Sequence, residues 1–121
     1  MPRTWFLDQL PEVPADLENF VLKPLYSFAG LGVVIAPSRA AIDAIPAAKR
    51  GEYILQERLN FTPVVETPHG ATKVELRIMF VWLDELVPVL TIVRMGRGLM
   101  MGVDHNKNMK WVGSSAALIS R

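Results

Sequence analysis

The chain has 121 residues, half of them hydrophobic and about a fifth charged, and it contains no cysteine. That length suits one domain with a buried core, and the composition excludes a disordered polymer, a collagenous repeat and a disulfide scaffold. Without cysteine there is no disulfide, thiol nucleophile or cysteine-type zinc site, and thirteen basic against twelve acidic side chains (net +1) leave no electrostatic footprint for a nucleic acid.

Residues 1–19 form an N-terminal arm, because Pro2, Pro11 and Pro14 forbid a long helix there. Its Trp5-Phe6-Leu7 cluster needs a covering surface, within the chain or on a partner subunit. Ala15 to Glu18 reads as one turn. Phe20 to Leu25 is a strand ending at Pro24, and Val33 to Ala36 is a second, so the pair predicts a hairpin with a glycine-containing loop. Ser38 is the N-cap of a helix whose apolar side carries Ile42 and Ile45 and which Pro46 and Gly51 stop. Tyr53 to Leu59 is the third strand. Asn60 to Gly70 is a proline-rich connection with a short extended piece at Val64-Val65.

The second half reads as β. Lys73 to Trp82 pairs with Leu86 to Arg94 across an Asp84-Glu85 turn, Leu99 to Val103 is a short strand, Asp104 to Asn108 is a polar turn, and Lys110 to Gly113 is extended. The fold class is therefore α+β, with mainly antiparallel sheets and one or two helices, in a single domain over 20–121. No stretch approaches the roughly 18–20 apolar residues of a membrane span. Met1 to Trp5 lacks the apolar core of a signal peptide, so a cytoplasmic protein is expected.

The chemistry concentrates at Lys23-Pro24-Leu25-Tyr26-Ser27-Phe28-Ala29-Gly30-Leu31-Gly32. Glycines let backbone N–H groups approach an anion, and a lysine adds a point charge for phosphate oxygens. The spacing fits neither the P-loop nor the dinucleotide fingerprint. A glycine-rich hairpin with a solvated lysine is the plain alternative. Elsewhere His69 and His105 have no carboxylate or cysteine at ligand spacing and read as turn residues. Ser114-Ser115 lacks the elbow of a serine nucleophile. Residues 88–121 hold Arg94, Arg97, Lys107, Lys110 and Arg121 against Asp104 alone, a basic segment that faces phosphates or solvent. Met95, Met100, Met101 and Met109 are expected to pack.

The Lys23-Pro24-Leu25 and Ser27-Phe28-Ala29-Gly30-Leu31-Gly32-Val33 stretch resembles the second-lysine strand and glycine-rich lid loop of the ATP-grasp superfamily of carboxylate–amine or carboxylate–thiol ligases. In the same order, Tyr53 to Glu57 resembles its adenine-hinge strand, Glu75-Leu76-Arg77 its Asp-x-Arg element, and Arg94 a basic residue at the end of the next strand. The resemblance spans roughly residues 20–115. It implies ATP, with or without Mg²⁺, as the bound nucleotide. Lys23, Ser27, Gly30 and Gly32 would meet the phosphates, Gln56 and Glu57 the adenine and ribose, and Arg77 with Arg94 the transferred phosphoryl group.

Two alignments remain for the end of the chain. In one, Asp104-His105-Asn106 matches the family's metal-binding Glu-x-Asn; in the other, which we favour, Asn106 and Gly113-Ser114-Ser115 lie in an earlier loop near phosphates and substrate, with no metal ligand in the chain. The family's companion N-terminal domain and first nucleotide-binding lysine have no counterpart here. The expectation is thus a nucleotide-binding domain or fragment of an ATP-dependent ligase, short of a complete enzyme. The alternative is a non-catalytic module of the same descent that binds no nucleotide. That module would form a homo-oligomer through its apolar arm and open β edges.

Overall fold

The computed structural model describes residues 1–28, 30–102 and 105–117. The architecture is α+β with two antiparallel sheets, and the chain divides into two compact units, Met1–Asn60 and Phe61–Arg121. Residues 1–19, expected as an arm, belong to the first unit, and residues 20–121 are shared between the two. No helix among the described residues is long and apolar enough to cross a membrane.

The first unit is a four-stranded sheet in the order β1-β4-β2-β3, formed by β1 (Thr4–Phe6), β2 (Phe20–Pro24), β3 (Val34–Ile35) and β4 (Tyr53–Glu57). Successive side chains of a strand point to opposite faces, so β2 sends Phe20 and Leu22 one way and Val21 and Lys23 the other. Leu22 lies opposite Leu55 of β4, and both join Leu7, Leu17, Phe20 and Ile42 in the buried cluster. Ser38 caps helix α1 (Arg39–Asp43) by accepting the Ala41 N–H at 3.1 Å, and Ile42 is fully buried against the sheet's core side. Pro46 follows, and the chain tightens into a 3₁₀ helix over Ala47–Glu52 before entering β4.

The apolar arm finds its cover within the chain. Thr4, Trp5 and Phe6 pair with Gln56, Leu55 and Ile54, and the Trp5 ring sits 6.2 Å from that of Phe20. Leu7 is buried and Trp5 packs against the core, whereas Phe6 points to the opposite face and stays 44% exposed, so two of the three apolar residues are covered by this docking.

The second unit is a three-stranded antiparallel sheet, β5-β6-β7, built from β5 (Lys73–Trp82), β6 (Leu86–Gly96) and β7 (Gly113–Ala116). The hairpin of β5 and β6 turns at Asp84-Glu85 as its sequence predicts. A bulge follows Met79: Met79 faces Leu90, Phe80 faces Pro88, and Val89 is the extra residue. Pro88 is tolerated because β7 pairs only with residues 92–95 of β6, leaving residue 88 on an open edge.

Two expectations for this unit are corrected. Leu99 to Gly102 is a bent loop, not a strand, because the Asn106 side chain captures its carbonyls; Val103 and Asp104 lie outside the described residues. The last extended piece begins at Gly113, not Lys110, because Trp111 adopts a left-handed backbone (φ 55°) that breaks an extended run.

The units differ in what they bury. Every buried large apolar side chain among the described residues lies in the first unit, whereas the second buries Thr72 and Asn106 and leaves Leu76, Ile78, Phe80, Trp82, Leu86 and Leu90 exposed. Leu55→Ala is expected to destabilise the first unit by about 2–5 kcal/mol, the cost of a cavity in a closed core, read from the urea midpoint of its unfolding transition.

Candidate functional site

In the first unit Lys23 and Gln56 project from neighbouring strands onto the face opposite the core. Val21 pairs with Gln56 and Lys23 with Ile54, which makes Lys23 and Gln56 diagonal neighbours. The Lys23 ammonium donates to Gln56 Oε1 at 2.5 Å, and Gln56 Nε2 donates to the Thr4 hydroxyl at 2.7 Å. Thr4 was not singled out in the sequence; only the docking of β1 brings it to Gln56. An amide carries no charge, and no carboxylate pairs with Lys23 among the described residues, so its positive charge is uncompensated.

The glycine loop begins one residue later. Gly30 (φ 84°) and Gly32 (φ 73°) occupy the left-handed region, and a Cβ on Gly32 would come within 3.1 Å of Pro24 Cγ. The Leu31 and Val33 N–H groups close turns onto Phe28 and Gly30 carbonyls, at 3.0 and 3.2 Å. The Gly30 and Gly32 N–H groups have no partner among the described residues, and the Ser27 hydroxyl likewise makes no hydrogen bond there. Ala29 lies outside the described residues. Tyr26, Phe28 and Leu31 are exposed beside these groups.

Glu57, expected at a ribose, faces away from Lys23 and is held by Arg3. Its carboxylate accepts from the Arg3 backbone N–H at 2.9 Å and from Nε at 2.6 Å, and Nη2 lies 2.5 Å away. Side-chain hydrogen bonding to Arg3, then the Arg3 backbone N–H, holds the Glu57 carboxyl below the usual carboxylate range. The backbone at this end of β4 is also engaged: Glu57 N–H donates to the Arg3 carbonyl and Arg58 N–H to that of Asn19.

In the second unit, Arg77 and Arg94 meet through one carboxylate. Glu75 lies opposite Arg94 across β5 and β6, and its Oε1 accepts from Arg77 Nη2 at 3.0 Å and from Arg94 Nη1 at 3.4 Å. Two guanidinium groups on one carboxylate leave a net positive charge on that sheet face. Arg77 keeps half its side chain in solvent, whereas Arg94 is largely covered and also donates to the Met101 carbonyl.

Asn106 is the centre of the loop after β6. Its Oδ1 accepts the Gly98 N–H at 2.8 Å, and its Nδ2 donates to the Met100 and Gly102 carbonyls, both at 2.8 Å. A Cβ on Gly96 would approach Asn106 Oδ1 to 2.7 Å, so this amide requires a glycine beneath it. Lys73 donates to the Gly98 carbonyl, and Arg97 donates to Thr72 Oγ1 and to the Lys110 and Trp111 carbonyls. Lys73 and Arg97 carry this loop; Lys73 was not singled out in the sequence, and Arg97, expected to face phosphates or solvent with the basic segment, is instead bonded to Thr72 and to two backbone carbonyls.

Beside β7, Val93, Met95, Trp111, Val112 and Ser115 line an open groove of about 240 Å³. His69 and His105 are exposed turn residues, and no group of three His, Cys, Asp or Glu side chains among the described residues is arranged to hold a metal. Asp104 and Arg121 lie outside the described residues. Lys23, Ser27, Gly30, Gly32, Gln56 and Glu57 belong to the first unit, and Arg77, Arg94 and Asn106 to the second. Comparison with protein families, curated proteins and solved structures returns no match.

Asn106→Ala is expected to destabilise the second unit by about 2–4 kcal/mol, because it strands a buried N–H and two carbonyls, read by urea unfolding followed through Trp111 fluorescence. For Glu57 the folded pKa is depressed, so its contribution to stability is full above the ordinary carboxylate range and is lost as pH falls through the lowered value. An NMR titration should show Glu57 protonating at lower pH in the wild type than in Arg3→Ala.

Proposed function

We propose that the first unit binds the phosphates of a nucleotide, ATP being the best fit, as the nucleotide-binding part of an ATP-grasp-like carboxylate–amine ligase acting in the cytoplasm. One observation carries the reading. Lys23 presents an uncompensated ammonium on the open sheet face, one residue before the proline on which Gly32 rests. The N–H groups of Gly30 and Gly32, without partners among the described residues, add backbone donors for phosphate oxygens, where a nearby carboxylate would repel them. Mg²⁺ would enter with the nucleotide, bound through phosphate oxygens and water.

In such a ligase the γ-phosphoryl group passes to a substrate carboxylate, and an amine then displaces phosphate from the acyl phosphate. Lys23 would neutralise charge on the nucleotide's phosphates. Of the two arginines that the resemblance assigns to the phosphoryl group, Arg77 keeps an accessible guanidinium, while Arg94 is committed to Met101 and Glu75. Glu57 would reach a ribose only by releasing Arg3.

A second reading, a self-associating module that binds no nucleotide, is favoured by the exposed apolar side chains of β5 and β6. Calorimetric titration with a non-hydrolysable ATP analogue, with and without Mg²⁺, tests the first. Lys23→Ala is expected to weaken binding at least about tenfold, the loss of one charge-assisted contact. Absence of heat at millimolar nucleotide overturns nucleotide binding and leaves the second reading.

A further inference from the structure

We propose that β5 pairs with β5 of a second copy of this chain, antiparallel and centred on Leu76. The assignment gives the self-association reading a specific surface and register, and it does not depend on nucleotide binding. Strand β5 is an edge: β6 covers one side, and no backbone group of residues 73–82 has a partner on the other among the described residues. Val65 bridges Thr72 just before the strand, and Pro63, with no N–H, cannot carry that ladder onward. A ten-residue open edge is a template for another strand.

Charge selects the register. Only every second residue of an edge strand turns its N–H and C=O outward, so an antiparallel self-pairing places residues of like parity opposite each other. Centring on Glu75 would set it against its own copy and Lys73 against Arg77, and centring on Arg77 would oppose two arginines. Centring on Val74 would use only residues 73–75, because Thr72 is already bridged. Centring on Ile78 would leave Glu75 facing Val81. Centring on Leu76 sets Glu75 against Arg77 of the second copy, twice by symmetry, with Leu76 facing Leu76 and Val74 facing Ile78.

The side chains are ready for this contact. Glu75 uses only Oε1 on its own arginines, so Oε2 is open to a third guanidinium, and Arg77 is 51% exposed. On the other face Leu76 and Ile78 are 68% and 51% exposed and would be covered by their counterparts. The result is one six-stranded sheet, whose edges become the short β7 strands.

The absence of cysteine makes the test clean. Residues at the axis have Cα atoms about 4.5–5.5 Å apart, within disulfide range. The two Ile78 residues would be about 13 Å apart, four residues along the strands. Sedimentation velocity of the full chain is expected to give a dimer. Mild oxidation should cross-link Leu76→Cys and leave Ile78→Cys free, and Arg77→Glu should raise the dimer dissociation constant at least about tenfold through like charges across the axis. A dimer in which Ile78→Cys cross-links, or Leu76→Cys does not, overturns the register while self-association stands. A wild-type monomer at high concentration overturns both.

Discussion

The pairing of β2 with β4 is the constraint on which the first unit depends. It sets Leu22 against Leu55 on one face and sends Lys23 and Gln56 to the other. Because the side-chain period is two, a slip of one residue would drive Lys23 into the apolar cluster and Leu22 into solvent. Desolvating an ammonium without a carboxylate is costly, so burial of the two leucines fixes where the lysine stands. The candidate site is thereby a consequence of the core, and β1, by docking on the far edge of β4, supplies the Thr4 hydroxyl that orients Gln56.

The second unit is organised by polar bonds. Asn106, Lys73, Arg94 and Arg97 together hold the carbonyls of Gly98, Met100, Met101, Gly102, Lys110 and Trp111, and Thr72 is buried against Arg97. These side chains do for an irregular loop what a ladder does for a strand: they satisfy backbone groups that would otherwise lack partners. The left-handed Trp111 is kept in place by the same network. The apolar residues of β5 and β6, released from forming a core here, stand on the surface.

Charge pairing separates residues that look alike in the sequence. Glu57 and Glu75 are both strand carboxylates, yet among the described residues Glu57 is closed by Arg3 while Glu75 is shared between two arginines. Arg94 and Arg77 both bond to Glu75, but Arg94 is spent on structure and Arg77 keeps a solvated guanidinium. Lys23 differs from all of them in having an amide for its neighbour. An ion pair offers a ligand little net charge; a cation held by a neutral group offers all of it.

Much of the fold was legible from local pattern. The bounds of β5, the hairpin turn at Asp84-Glu85, the Ser38 cap and the end of β2 at Pro24 follow from β propensity, turn chemistry and the missing proline N–H, which act within a few residues. What failed to show was non-local: the capture of residues 98–102 by Asn106 abolished an apolar run that reads as a strand, and Trp111 turned left-handed where an extended residue was expected. The sequence by itself determined which residues could be strand, cap or turn, and that a lysine precedes a glycine loop. Only the tertiary structure decided which charges are spent and which are open, because that depends on partners brought from distant positions: Arg3 to Glu57, Gln56 to Lys23, Arg94 to Glu75.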